Sequence, residues 1–353
     1  MPSCFFCLAA AGGTRGVAAL DNMTDHIPAE TREPLVDSLV AVILLVVVPF
    51  GLLMPDEAAA AESSRPNILF IMVDDLGPEW ISCYGGLEVK TPQIDALARG
   101  GMRFTNAYSM PQCTPTRVTL LTGQYPFHHG WCNHWDVPRW GAGCHFDPNK
   151  NMTFARLLRS VGYVTAIAGK WQINDFRVQP GVLKDHGFDE WCMWTGYEGQ
   201  NPPSGQRYWD PYVFASGERS RTHKGQFGPD VYADFLVDFL RRHRDQPMLL
   251  YFPMVLTHGP QVHTPADPGA KTRLEKHKAM VRYTDRIVGR LVGTLDDLKL
   301  RRRTIVIFTT DNGTGKRFRA RMRVGSTVRV VRGGKALLTE NGPWQPLIVN
   351  CPG

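Results

Sequence analysis

The chain has 353 residues, of which 43% are hydrophobic and 21% are charged, and its formal net charge at pH 7 is +7. This length and composition are typical of a globular protein with one large domain or two smaller ones, and they exclude a disordered or fibrous chain. The positive charge favours anionic partners, but it does not choose between nucleic acid, a membrane surface and an acidic substrate.

An uncharged apolar run, LVAVILLVVVPFGLLM, lies at residues 39–54 near the start of the chain. The run is short for a membrane span, and small residues follow it as they do at a signal-peptidase site. We interpret residues 1–61 as a leader with a secretory signal, cleaved near Ala58 to Ala61; an uncleaved membrane anchor is the alternative. Both interpretations put the remaining chain outside the cytoplasm, in the periplasm or secreted. An oxidising compartment would also suit a local disulfide between Cys132 and Cys144.

From residue 66 onwards the pattern alternates between apolar runs and amphipathic segments. The runs NILFIMVDD (67–75), YVTAIAGKW (163–171), PMLLYFPMVLTH (247–258) and TIVIFTTDNG (304–313) are typical of buried strands. TPQIDALARGG predicts a helix capped by Thr91, and the longest helix is predicted over roughly 273–298. Residues 185–228 are interpreted as a long irregular insertion, and QPLIVN as a last strand. This order predicts an α/β fold with a mostly parallel central sheet and helices on both faces.

Polar side chains follow the apolar runs, where the strands of a parallel sheet end. Because ligands of such sheets bind beyond the carboxyl ends of the strands, these side chains are candidates for one site. Their oxygen-rich composition favours a hard cation such as calcium or magnesium over zinc. For any single Asp-Asp or Asp-Asn pair the alternative is an Asx turn or helix cap. The candidates are Asp74, Asp75, Lys170, His258, Asp311 and Asn312.

A lone cysteine, Cys113, precedes a predicted helix start in CTPTRVTLLTG, and Arg117 lies four residues later. Backbone N–H groups at a helix start favour an anion. Together with Lys170, Arg117, His258 and Lys335, a metal would make a site for a tetrahedral oxyanion, either phosphate or sulfate.

The segment KRFRARMRVGSTVRVVRGGK (316–335) contains six arginines, two lysines and no acid. It is interpreted either as a solvated basic loop or as an electropositive rim that attracts a polyanionic substrate. Nucleic-acid binding is disfavoured because no recognition motif is present and the export signal opposes it.

At these residues the chain resembles the sulfatase family. CTPTR matches the family signature, and NILFIMVDDLG, LLTG, GKW, THGP and TTDNG occur in the family's order, from about residue 66 to the end. The resemblance implies the alkaline-phosphatase-like α/β fold, a catalytic domain over 66–353 and hydrolysis of sulfate esters. It also implies that Cys113 is oxidised to formylglycine, whose hydrated aldehyde is the nucleophile. The oxidation would require a formylglycine-generating or an anaerobic sulfatase-maturating enzyme.

The same resemblance implies a role for each candidate residue. The calcium ligands would be Asp74, Asp75, Asp311, Asn312 and the modified Cys113. Arg117 would hold the hydrated aldehyde and the metal-side carboxylates. Lys170 and Lys335 would bind sulfate oxygens, and His258 would contact the sulfate and protonate the leaving alcohol. The substrate would be a sulfated carbohydrate or an aryl sulfate ester.

Three features depart from the family pattern. Gln172 stands where family members commonly have a histidine that helps to expel sulfate, and glutamine cannot take a proton at neutral pH. Residues 317–332 match the family poorly, and the chain is expected to lack the family's C-terminal subdomain. Two alternatives therefore stay open: a phosphoester or phosphonate ester hydrolase of the same fold, and a truncated, non-catalytic protein that binds sulfated polymers.

Overall fold

The computed structural model describes residues 65–132, 146–176, 178–195 and 206–353, and all elements below lie within them. The strands are β1 (Asn67–Val73), β2 (Met102–Phe104), β3 (Val164–Lys170), β4 (Glu190–Trp194), β5 (Tyr212–Ala215), β6 (Arg221–Thr222), β7 (Met248–Pro253), β8 (Thr304–Thr310), β9 (Arg319–Val324), β10 (Thr327–Arg332) and β11 (Leu347–Asn350). The helices are α1 (Pro92–Arg99), α2 (Cys113–Thr122), α3 (Pro126–His129), α4 (Phe154–Ser160), α5 (Val182–Asp185), α6 (Gly228–Arg242) and α7 (Arg273–Asp297).

Within these residues, nine strands form one sheet in the order β2-β11-β8-β1-β7-β3-β4-β5-β6, and β9 and β10 form a separate hairpin. The five central strands from β8 to β4 run parallel, and antiparallel strands complete both edges. The central strands β1 and β7 are the continuous apolar runs of the sequence, and β7 is buried along its whole length. Strands that are covered on both faces need apolar side chains on both faces. The predicted α/β fold with a mostly parallel sheet is confirmed.

Helices cover both faces of the sheet, as predicted. Alternate residues of β1 point to opposite sides: Leu69 and Ile71 pack in a cluster with α6 and α7, whereas Phe70 and Met72 pack in a cluster with α2 and α4. The longest helix, α7, starts with a capping box in which Thr272 and Glu275 bond to each other's backbone N–H groups. The prediction of a helix over roughly 273–298 is therefore confirmed.

Two expectations about local structure are wrong. The described parts of residues 185–228 are not an irregular insertion, because β4 continues the parallel sheet beside β3, and β5 and β6 extend it. The Thr91 side chain does not cap α1; instead Asp285 of α7 accepts hydrogen bonds from the backbone N–H groups of Gln93 (3.0 Å) and Ile94 (2.9 Å). A cap from a residue so far along the chain leaves no local signal in the sequence.

The basic segment is not a loop but mostly the β9–β10 hairpin. Its inward residues Phe318, Ala320 and Met322 are buried, whereas the arginines of both strands point to solvent. Glu88 ties the hairpin to α7: its carboxylate lies 2.8 Å from Arg321 Nε and 2.7 Å from Lys278 Nζ. The interpretation as a solvated basic loop is replaced by an ordered basic surface.

The ion pairs of Glu88 make a contribution to stability that depends on pH. Hydrogen bonds from Arg321 and Lys278 lower the pKa of Glu88 from 4.5 to about 2. Since the folded-state pKa lies below the unfolded value, the contribution is complete above pH 4.5 and is lost as the pH falls towards 2. Both cations are partly exposed, so we expect Glu88→Gln to lower the free energy of unfolding by about 1–2 kcal/mol at pH 7 and by less than half of that at about pH 3.

Urea unfolding at both pH values measures this effect. Glu218→Gln is the matched control, because Glu218 pairs with Arg221 at an exposed site. A loss of the same size for Glu88→Gln at pH 7 and pH 3 would contradict the electrostatic explanation.

No helix in the described part of the chain is both long and apolar enough to cross a membrane. The apolar run 39–54 and the predicted leader lie outside the described residues, as does Cys144 of the predicted disulfide.

Candidate active site

The carboxylates that follow β1 and β8 meet at one edge of the sheet. The two strands are parallel neighbours, and their register sets Val73 beside Thr310. Asp74 and Asp75 therefore emerge next to Asp311, and the backbone N–H of Asp75 donates to Asp311 Oδ1 at 3.1 Å. Asp74 and Asp311 are fully buried. Burying two carboxylates side by side is unfavourable unless cations lie close to them.

Two buried cations from other elements lie against these carboxylates. Lys170, the last residue of β3, places Nζ 2.6 Å from Asp74 Oδ2. Arg117, from the second turn of α2, places Nη2 2.7 Å from Asp311 Oδ2 and 3.9 Å from Asp74 Oδ2. Its Nη1 also donates to the backbone oxygen of Lys170 at 2.9 Å, which ties α2 to the end of β3.

The backbone around the site adopts conformations that few residue types tolerate. Gly169 has a φ of +116°, and a Cβ at this position would lie 2.1 Å from the Pro253 oxygen of β7. Only glycine allows β3 and β7 to approach so closely beside Lys170. Asp75 (φ 62°) and Gln172 (φ 73°) are also left-handed. Such strain in non-glycine residues is typical of functional sites.

Lys335 and His258 approach Asp75 from the solvent side. Lys335 Nζ lies 2.7 Å from the Asp75 carboxylate, and His258 Nε2 lies 3.7 Å from Asp75 Oδ2. Lys335 follows the β9–β10 hairpin in the chain, and its ammonium group lies at the same carboxylate as the His258 ring. On the other side of the His258 ring, Nδ1 lies 2.7 Å from the Gly259 oxygen and 3.2 Å from Arg207 Nη1.

Cys113 is the first residue of α2 and is 3% exposed. Its Sγ lies within 4.8 Å of a carboxylate oxygen of Asp74 and of Asp311. Gln172 Nε2 donates to this sulfur at 3.4 Å and to Thr114 Oγ1 at 3.1 Å. The residue that departs from the family pattern is thus in direct contact with the candidate nucleophile.

The charges around the site shift the pKa values of one thiol and two carboxyl groups. Burial opposes ionisation of Cys113, but Lys170 and Lys335 outweigh it, so the pKa of the thiol is lowered. Burial likewise opposes ionisation of Asp74, and Lys170, His258 and Arg117 hold its pKa well below the usual range. Burial and the neighbouring charge of Asp74 instead raise the pKa of Asp311.

Burial also lowers the pKa of His258 to about 4, against the attraction of Asp75 and Asp74. The imidazole is therefore neutral at pH 7 in the free protein. An anion bound beside the ring would favour its protonated form.

The oxygens at the sheet edge fit a hard cation. Asp74 Oδ1 and Asn312 Oδ1 are buried, and neither accepts a hydrogen bond from any residue the structure describes. Buried oxygens in proteins normally have a partner, and an ion satisfies the same need. Asp75 and Asp311 offer further carboxylate oxygens beside them. Oxygen ligands of this kind suit calcium or magnesium.

The arrangement as a whole can bind and polarise a tetrahedral oxyanion. Lys170 and Lys335 bring N–H donors to Asp74 and Asp75 of the site, and a divalent cation among the carboxylates would make the site positive overall. Such fixed charges stabilise negative charge that develops on a transferred group. All nine candidate residues are brought together: Asp74, Asp75, Cys113, Arg117, Lys170, His258, Asp311, Asn312 and Lys335. Their individual roles stay predictions.

One residue of the site could not be found in the sequence. Arg207 is buried, contacts His258 and stacks over the Trp194 ring, with 3.8 Å from its guanidinium carbon to the ring centroid. It lies in the segment that we interpreted as an irregular insertion, and it has no motif around it. Two histidines of the sequence that are candidates for a base in place of the family histidine, His134 and His145, lie outside the described residues.

Comparison with known proteins agrees with a site that binds a tetrahedral oxyanion. The sulfatase family model matches residues 66–335. The chain belongs to the sulfatase family. It is 31% identical to N-acetylgalactosamine-6-sulfatase of Canis lupus familiaris over 84% of this chain and 59% of that protein. It is also 31% identical to arylsulfatase A of Bos taurus, over 84% of this chain and 61% of that protein.

A solved structure shares the fold. The crystal structure of Ps i-CgsB superposes with a TM-score of 0.67 at 26% identity, covering 82% of this chain and 66% of that one. The chain thus spans about 60% of the length of the curated sulfatases named above. The family match ends at Lys335, so the basic hairpin lies inside the sulfatase domain and Lys335 is its last matched residue.

Proposed function

We propose that this sulfatase-family protein hydrolyses sulfate esters of carbohydrates, with a nucleophile formed from Cys113. The observation that carries the proposal is the position of Cys113 Sγ, which lies within 4.8 Å of carboxylate oxygens of Asp74 and Asp311. A cysteine that only filled the core would gain nothing from buried charges around it, since burying charges is unfavourable. Membership of the family supports the same reaction.

The cation in this proposal is calcium, with magnesium as the second choice, held by Asp74, Asp75, Asp311 and Asn312. It would act as a Lewis acid that draws electron density from the sulfate group. The nucleophile would be formylglycine, formed from Cys113 by a formylglycine-generating or an anaerobic sulfatase-maturating enzyme.

The remaining residues bind the sulfate and move one proton. Lys170 and Lys335 donate to sulfate oxygens, and Arg117 holds the Asp311 carboxylate in place. The negative charge of the bound ester favours the protonated ring of His258, in which Nδ1–H donates to the Gly259 oxygen and Nε2–H faces the leaving oxygen. One hydroxyl of the hydrated aldehyde at position 113 would lose its proton to solvent and bond to sulfur while the S–O bond to the alcohol breaks and Nε2 protonates that alcohol. The second hydroxyl would then lose its proton to solvent, which breaks the C–O bond to the sulfate and restores the aldehyde, and water would hydrate the aldehyde again.

A sulfated carbohydrate is the substrate class we favour, and an aryl sulfate ester is the alternative. One of the relatives above is named for a sulfated amino sugar and the other for aryl sulfates. The chain would act in the periplasm or outside the cell, delivered by the N-terminal leader or held by it at the membrane.

A second candidate is a non-catalytic protein that binds sulfated polymers. The contact between Gln172 and Cys113 favours it, because a side chain that cannot take a proton occupies the position next to the nucleophile. In that protein Lys170 and Lys335 would still bind sulfate, but Cys113 would stay a thiol.

The test combines a mass spectrum with a rate comparison. The chain is produced together with a formylglycine-generating enzyme, and the tryptic peptide Phe104–Arg117 is weighed. We expect the aldehyde or its hydrate at Cys113, and faster hydrolysis of an aryl sulfate than of the matched aryl phosphate. An unmodified thiol, in a host that converts a full-length sulfatase, would favour the non-catalytic protein. Faster hydrolysis of the phosphate would favour a phosphoester hydrolase.

A further inference from the structure

A second basic pocket adjoins the candidate active site. It is a cavity of about 480 Å³ that shares Asp75 and Lys335 with the site and extends outwards past Arg273, Lys316 and Arg317. This volume lies within the range of sites for small molecules. We call the three outer cations and the space between them the basic pocket.

The charges of the basic pocket are not balanced. Asp75 is the only acid among the described residues that line the cavity, and Lys335 already pairs with it at 2.7 Å. None of the three outer cations has a carboxylate within 4.0 Å in the described part of the chain. Glu275, the acid in the first turn of α7, is occupied by the backbone N–H groups of Lys271 and Thr272.

The position of the cations is unfavourable for the fold itself. Arg273 is the first residue of α7, where the helix dipole is positive and a cation destabilises the helix. Lys316 and Arg317 are exposed residues in the turn before β9, so they repel Arg273 and each other without packing into the core. An arrangement that costs stability and leaves three cations around one cavity is explained by an anion that binds there.

We propose that the basic pocket binds a second sulfate group of the substrate, so that the protein prefers saccharides with two sulfates to saccharides with one. This proposal rests on the proposed function for the sulfate that is cleaved. The second sulfate stays intact: Arg273, Lys316 and Arg317 hold it while the first lies between Lys170 and Lys335. The chemistry would also admit a carboxylate, with fewer oxygens to accept hydrogen bonds.

The test compares N-acetylgalactosamine 4,6-disulfate with N-acetylgalactosamine 6-sulfate, by calorimetric binding and by release of sulfate. The variant is Lys316→Gln/Arg317→Gln, in which both changes are at exposed residues. The control is Arg323→Gln/Arg329→Gln, which removes the same charge from exposed hairpin residues outside the cavity. We expect the protein and the control to bind the disulfate on the order of tenfold more tightly, and the variant to lose this preference while its binding of the monosulfate changes less than about twofold.

Binding and turnover separate the two proposals. The proposal of a second sulfate site is overturned if the unaltered protein binds both saccharides with equal affinity, or if the variant and the control lose the same amount of affinity for the disulfate. This conclusion does not depend on the measured rate of sulfate release. Tight, pocket-dependent binding of the disulfate without release of sulfate supports the pocket and overturns the hydrolytic function. The preference should also weaken as salt is raised, since exposed charges are screened.

Discussion

Replacing Cys113 with serine is expected to lower the rate of sulfate ester hydrolysis at least about a thousandfold, while the fold is retained. The hydroxyl is close in size to the thiol, so the contacts of Gln172 and Thr114 around position 113 persist. Serine lacks the second hydroxyl that an aldehyde hydrate offers, and a serine sulfate ester therefore has no group of its own to drive release. Single-turnover and steady-state assays on an aryl sulfate, made after maturation, measure the loss.

The control for this variant is Cys351→Ser, which changes an exposed cysteine at the other end of the chain. It should leave the rate within about twofold, as surface substitutions usually do. If Cys113→Ser turned over as fast as the control, the nucleophile would have to be another group and the proposed function would lose its main support.

Asp311→Asn is expected to abolish stabilisation by calcium. In the unaltered protein, calcium at a hundred times its dissociation constant should raise the free energy of unfolding by about 2.7 kcal/mol. The asparagine removes one of the carboxylate charges of the proposed ligand set and keeps the size of the side chain. It also turns an N–H donor or a neutral oxygen towards Arg117, which now lies 2.7 Å from a carboxylate oxygen. Thermal unfolding in calcium and in a chelator measures the difference.

The matched control is Asp245→Asn, because Asp245 is an exposed acid beside Arg244. We expect this control to gain as much from calcium as the unaltered protein. A full calcium effect in Asp311→Asn would mean that the cation binds elsewhere or that Asp311 is not a ligand. Magnesium, tested in the same way, should stabilise less, because it demands a more regular set of ligands.

The candidate active site buries carboxylates together with cations, because burying either kind of charge alone would be unfavourable. Asp74 is held in its ionised form by Lys170 and Arg117, whereas Asp311 is pushed towards its neutral form by burial and by Asp74. A divalent cation would relieve this conflict, since it favours both ionised carboxylates. The same cation would make the site attractive to an anion, and the adjoining basic pocket adds the positive charges of Arg273, Lys316 and Arg317.

Local patterns in the sequence determined the parts of this protein that depend on neighbours along the chain. The apolar runs before Asp74 and Asp311 identify two central strands: β1 is buried along almost its whole length, and β8 alternates between buried and half-buried positions. The side chains at the strand ends identify the candidate site because parallel strands bring their carboxyl ends to one edge. CTPTR identifies the family from the spacing of Cys113 and Arg117 alone. Both residues lie in the first two turns of one helix, so their relative position is set locally.

Only the tertiary structure decided the features that join distant segments. The Asp285 cap of α1 and the contact between Arg207 and His258 each connect residues with no shared pattern in the sequence. The interpretation of 185–228 as irregular failed because short strands at a sheet edge are defined by the partner they pair with, not by their own periodicity. The placement of the positive charges is also decided by the tertiary structure. The sequence shows a basic segment, but the packing of the hairpin against α7 determines which of its cations line the cavity and which face solvent.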